Sequence, residues 1–172
     1  MPSINFKMEQ QEHNNWCWAA VAVSMDHFFD QKSSWCQCRL ATRMVRFRKL
    51  KTKQCGTCKK PKAVPEACNK PWFLDWALKQ VHRLTGKIKN GALTFEQIQR
   101  TINAGRPVCL RLQWGKGPDA HFVIISGFET AASGNQWVDV EDPASGSSTW
   151  LYDEFRTNYQ YSKGHWTDTF PV

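Results

Sequence analysis

Four residues of this 172-residue chain have side-chain types and positions suited to nucleophilic chemistry: Cys17, His121, Asp142 and Gln11. Cys17 lies in the run Gln11-Glu12-His13-Asn14-Asn15-Trp16-Cys17-Trp18-Ala19-Ala20, where polar residues give way to an apolar stretch. Asn14 or Asn15 can cap a helix there. A sulfur at such a terminus faces backbone N–H groups that lack partners and roughly half a positive charge from the macrodipole. Both favour thiolate over thiol. A cysteine followed by Trp-Ala-Ala also fits an inert core position, so a nucleophile at 17 requires a base.

Of the five histidines, His121 is the best suited. The loop Gly115-Lys116-Gly117-Pro118 delivers it to the start of the apolar run Phe122-Val123-Ile124-Ile125, which puts its ring at the rim of a sheet. A histidine acting as base needs its second ring nitrogen held by an acceptor. Asp142, closing the run Trp137-Val138-Asp139-Val140-Glu141 and preceding Pro143, can supply one if the two strands pair through a hairpin over residues 129–136. An Asp-Pro turn opener is the plainer reading of the same residues. Gln11, six residues before Cys17, can join the Cys17 amide as a pair of oxyanion donors, with Gln10 as a substitute.

Together, Gln11, Cys17-Trp18-Ala19, His121 and Asp142 resemble the order Gln, Cys, His, Asn/Asp of papain-like cysteine peptidases. The likeness is greatest to small bacterial effector or toxin proteases, with double-glycine leader peptidases as cousins. It spans about residues 11–150. The run Asn-Trp-Cys-Trp-Ala-Ala stands where papain has Gly-Ser-Cys-Trp, and a basic insert over about 36–68 has no papain counterpart. The resemblance implies a cysteine endopeptidase that needs no cofactor or catalytic metal and acts on a protein or peptide. An immunity protein or host activator is a possible further partner. The same residues would also serve a deamidase or transglutaminase.

The elements that must position these groups follow in chain order. Trp18, Val21, Ala22, Met25 and Phe28 recur at helical spacing, predicting a helix from about Trp16 to Gln31, with Asp26, His27 and Asp30 at its solvent-facing end. Ser33 or Ser34 is expected to cap a second helix through Leu40, Met44 and Phe47. Pro71 precedes a third, with Leu74, Ala77, Leu78 and Val81, and Thr94-Phe95-Glu96-Gln97 reads as a capping box for a fourth that Gly105 ends. From Val108 onward the pattern changes to short strands: 108–114, 121–128, 137–141, 149–152 and a final run over 165–172. Helices followed by a mostly antiparallel sheet indicate an α+β fold. The expected layout is one domain over 1–172, with a helical lobe (about 10–105), a sheet lobe (about 106–172) and a cleft between them.

The net charge of +8 is concentrated: eleven Lys or Arg and no Asp or Glu lie between Gln31 and Pro65. Such a run is a solvated face or a site for nucleic acid, acidic lipid or an acidic partner. It lacks the regular aromatic interleaving of single-strand binders, which disfavours nucleic acid. Cys36, Cys38, Cys55, Cys58 and Cys68 fit either a structural zinc site, as in a zinc-containing nucleic-acid-binding module, or disulfides with one thiol left over. The resemblance tips this toward disulfides, because small bacterial relatives carry cysteines here and a pair like Cys68-Asn69. Cys109, in an apolar strand, reads as core. No window is long and apolar enough to span a membrane, and the N-terminal residues do not form a secretory signal. Export by a dedicated system, or release from a longer parent, is the expectation.

Overall fold

The computed structural model describes residues 2–49, 54–59, 64–116 and 120–172. Its helices are α1 (Cys17–Phe29), α2 (Gln37–Phe47), α3 (Leu74–Gln80), α4 (Phe95–Asn103) and α5 (Tyr152–Asn158). The strands are β1 (Lys89–Asn90), β2 (Val108–Trp114), β3 (Ala120–Thr130), β4 (Gln136–Asp142), β5 (Gly146–Leu151) and β6 (Gly164–Phe170). They form one antiparallel sheet in the order β1-β6-β2-β3-β4-β5. The α+β expectation is met.

Alternation along the strands explains how the layers stack. Cys109, Phe122, Ile124 and Phe170 join the core built around α1, α2 and α3. Their neighbours Val108, Leu110, Leu112, Val123, Ile125, Val138 and Val140 pack with Phe95, Ile98 and Ile102 of α4 and Phe155 of α5. The sheet is therefore covered on both faces. This corrects the expectation that all helices up to residue 105 form one lobe: α4 belongs to the far side of the sheet.

α1 is apolar around its whole circumference, and every residue from Cys17 to Asp26 is buried. Several local expectations need revision. The helix begins one residue later and ends at Phe29, with Trp16 at the N-cap and no side-chain cap from Asn14 or Asn15. Asp26 is buried, not solvent-facing, because Arg83 donates to its Oδ1 at 2.8 Å. α2 starts beyond Ser33 and Ser34, with Cys36 at the N-cap, and Phe47 projects into solvent while Leu40 and Met44 are buried. The capping box at Thr94 and Gln97 forms as expected, and Gly105 ends that helix at φ +73.

Residues 152–158 form α5, where the alternating pattern suggested only the end of a strand. The N-terminal segment also takes part in the sheet region: Ile4 donates to the Ser126 carbonyl at the irregularity in β3, where the register with β4 shifts between Ile125 and Gly127. Cys36–Cys58 and Cys55–Cys68 are disulfides, and Cys38 is left as the buried odd thiol. Cys109 is buried in β2, as expected of a core residue. Lys51, Lys53, Lys60 and Lys62 of the basic run, and Gly117-Pro118 of the loop before His121, lie outside the described residues.

Candidate active site

Cys17 is the first residue of α1, and no side chain caps that terminus, which leaves it open to an anionic group. Its flanks are tied to a strap at residues 68–70. The Asn15 amide donates to Asn69 Oδ1 at 3.2 Å, and the Asn15 side chain donates to the Asn69 carbonyl. The indoles on either side of the cysteine do the same, Trp16 to the Cys68 carbonyl at 2.8 Å and Trp18 to the Lys70 carbonyl at 3.1 Å. Cys68 is in turn joined to Cys55, whose amide donates to Thr42 on α2.

On the sheet side, β3 and β4 pair with Ile124 opposite Glu141. Continuing that register by one residue sets Asp142 across from Val123, on the same face as His121 two residues along. His121 Nε2 and Asp142 Oδ1 are 2.7 Å apart, and the Asp142 side chain is fully buried. Asp142 is also the acceptor for the Ala144 amide at 2.7 Å and the Tyr159 hydroxyl at 2.8 Å. Cys17 is the other group that acts on the His121 ring, and with Nε2 engaged by the aspartate, Nδ1 is the nitrogen left for the sulfur.

These contacts set the charges. Burial disfavours the charged His121 ring, but hydrogen bonds to Asp142 and Cys17 and the nearby negative charge outweigh it and raise the ring to about 9. Burial likewise works against the Asp142 carboxylate, yet His121, the Ala144 amide and the Tyr159 hydroxyl hold it at about 2. Tyr159 itself is pushed up, by burial first and then by the adjacent carboxylate. An imidazolium between a carboxylate and a sulfur is the favoured state.

Gln11 lies in the loop before Cys17 with its side-chain amide already engaged. Its amide nitrogen donates to the carbonyls of His13 at 3.2 Å and Asn14 at 2.9 Å, bracing the loop that leads into Cys17. Its buried Oε1 has no partner among the described residues. The Gln11 backbone amide donates to the Pro143 carbonyl, which links the approach to Cys17 with the residue after Asp142. Gln10 supplies a backbone carbonyl to Gln37.

The site opens onto a cleft of about 470 Å³ between Trp18 of α1 and Trp72 in the segment before α3 on one side and sheet residues Arg111, Trp114 and Phe122 on the other. Trp114 stands beside His121, with ring centroids 6.5 Å apart. Gly164 makes room for it, since a Cβ there would fall 2.8 Å from the indole. Four of the five clustered cysteines are spent in disulfides, so the zinc reading loses its ligands. Among the described residues, no group of three or more His, Cys, Asp or Glu could hold a metal ion, and no helix is long and apolar enough to cross a membrane.

Reading the residues in order missed Tyr159 and Asn69. Tyr159 follows a helix of seven residues, too short to show a period, and Asn69 sits in an irregular segment. Only the Cys68-Asn69 pair offered a signal, through the resemblance to small relatives.

A comparison with curated proteins finds no match. The model of the Peptidase_C39-like family matches residues 3–169, nearly the whole chain and all of the site just described. This chain belongs to the Peptidase_C39-like family and is a cysteine peptidase.

Proposed function

We propose that the protein is an endopeptidase that cuts peptide bonds through Cys17, His121 and Asp142, and that it works as an exported bacterial effector or toxin. The observation that carries the catalytic reading is His121 held between the Cys17 side chain and the fully buried Asp142 carboxylate, at the edge of an open cleft. Export is supported by the two disulfides, which suit an oxidising compartment.

In this mechanism the Cys17 sulfur attacks the scissile carbonyl, its lone pair forming the S–C bond as the carbonyl π electrons move onto oxygen. The Cys17 amide and one N–H of Gln11 receive that oxyanion, Gln11 giving up the longer of its two hydrogen bonds, to His13. The intermediate collapses with cleavage of the C–N bond, and imidazolium His121 donates its proton to the leaving amine. Water then attacks the thioester while His121 takes its proton, and the acid leaves with the sulfur restored. Asp142 keeps the ring oriented throughout.

The test is peptide release from a proteome by wild type and by Cys17→Ala. Peptides that appear only with wild type, while the variant keeps its melting temperature, are the expected result. A folded Cys17→Ala protein that still cuts would overturn the proposal. Ammonia release from a protein substrate without backbone cleavage would assign a deamidase instead.

A further inference from the structure

The cleft beside Cys17 has an unbalanced charge. Among the described residues that line it, Arg48 and Arg111 are cationic and none is Asp or Glu. Arg111 is already paired, with Asp168 Oδ2 at 3.2 Å and with Thr167 and Gln113 on the same nitrogen. Arg48 is different. Among the described residues it has no carboxylate or hydrogen-bonding partner for its side chain, and its guanidinium lies over the Trp72 ring at 4.2 Å from the centroid. Trp72 also lines the cleft, and its buried indole N–H has no acceptor among the described residues.

Stacking fixes the guanidinium plane and covers one of its faces, but leaves the in-plane N–H fork free. Such a fork fits a carboxylate. The surrounding Trp72, Phe73, Trp114 and Phe122 lower the local dielectric, so a charge partner there gains more than it would at an open surface. A basic substrate would instead meet like charge. Arg48 ends α2 within the basic segment, so part of that segment's charge faces the site.

We propose that this cleft selects substrates carrying a carboxylate beside the scissile bond, with Arg48, stacked on Trp72, as the residue that determines the preference. The inference rests on the peptidase reading. The carboxylate can come from a Glu or Asp side chain or from a free C-terminus.

The experiment uses fluorogenic peptides with blocked ends, carrying Glu, Gln or Lys in turn at each position flanking the cut. A matched set compares free and amidated C-termini. At one position Glu should exceed Gln in kcat/KM by roughly tenfold, as a charge-assisted hydrogen bond in a half-open cleft implies, with Lys slowest. In Arg48→Gln the Glu:Gln ratio should fall toward one, and in Arg48→Glu Lys should become the better substrate. Selection for a free C-terminus without selection for internal Glu would uphold the carboxylate and assign it to the chain end. Equal rates for all peptides, at every position and terminus, would overturn this inference and leave the peptidase standing. Binding of the same peptides to Cys17→Ala protein, followed by tryptophan fluorescence, separates the two readings. Glu-selective binding without wild-type turnover would uphold the cleft and overturn the peptidase. Neither turnover nor selective binding would overturn both. Arg48 is exposed, so both of its variants are expected to fold.

Discussion

Around Cys17, position is set by side chains reaching across long stretches of chain: Asn15, Trp16 and Trp18 bind residues 68–70, and a disulfide holds that strap. Around His121 and Asp142, position is set by a backbone ladder, with β3 paired to β2 on one side and β4 on the other. Cys17 starts a helix whose approach is an irregular loop fastened by a few specific bonds, and His121 and Asp142 sit in regular strands. A ladder distributes its stability over many equivalent bonds, whereas a strap concentrates it in a handful. The two halves should therefore fail in different ways.

The largest expected effect comes from cutting the link between the sheet and the chemistry. Asp142→Ala should lower kcat/KM by roughly 10²–10⁴-fold, since the ring loses the acceptor that orients it. The melting temperature should fall too, because the Tyr159 hydroxyl and the Ala144 amide lose their acceptor. Steady-state kinetics and a thermal melt check both parts, and an Asp142→Ala enzyme of near wild-type rate would remove the aspartate from the mechanism.

Opening the strap tests the other half. The Cys55–Cys68 bridge closes a sequence separation of 13, for which loop closure alone is worth about 3 kcal/mol. In a Cys55→Ser/Cys68→Ser protein, hydrogen exchange should rise around residues 15–18 and 66–70 while β3 and β4 keep their protection. Equal loosening of both regions would break the contrast drawn above. Trp16→Phe, which removes the bond to the Cys68 carbonyl and leaves part of a fully buried indole's volume empty, should cost about 2–4 kcal/mol in the same melt.

Tyr159→Phe is the mildest change on the sheet side. Asp142 keeps His121 and the Ala144 amide, so activity should drop less than tenfold. The pH profile then sharpens the comparison. In the proposed mechanism the His121 cation protonates the leaving amine, so activity should fall as pH rises through about 9. In Asp142→Asn this limb should move toward lower pH, because the charge that holds the proton is gone. Stability follows the same signs. The raised pKa of His121 makes its contribution complete below its usual 6.5 and lost as pH rises through about 9. The lowered pKa of Asp142 makes its contribution complete above its usual 3.8 and lost as pH falls through about 2. Their joint contribution is greatest from 3.8 to 6.5, and an equilibrium-unfolding series across pH tests it.

The strands from β2 onward and the capped helix α4 were readable because each carries its own signal, short apolar or alternating runs in one case and Thr94 with Gln97 in the other, whereas the two-residue β1 carries none. α1 was readable as an enclosed helix from its unbroken apolar run. Its start was misplaced by one residue because asparagine is a good cap in general, while here Asn15 is used to hold Asn69. Asp26 misled for a similar reason: a carboxylate on a helix suggests solvent unless a guanidinium 57 residues away arrives to pair with it. α5 gave no signal, being too short for a period to develop.

What the sequence determines by itself is local: a cysteine behind a helix start, a histidine opening a strand, an aspartate closing another, and a run of bases with no acids. Those follow from residue type and near-neighbour spacing, which govern caps, turns and periodicity. The meeting of His121 with Asp142 depends on strand register and on the shift after Ile125, and the meeting of His121 with Cys17 depends on how α1 abuts the end of the sheet. Only the tertiary structure decides these, along with which cysteines pair and that Arg48 lies on Trp72 beside the nucleophile, because each joins residues whose separation in the chain carries no information about their distance.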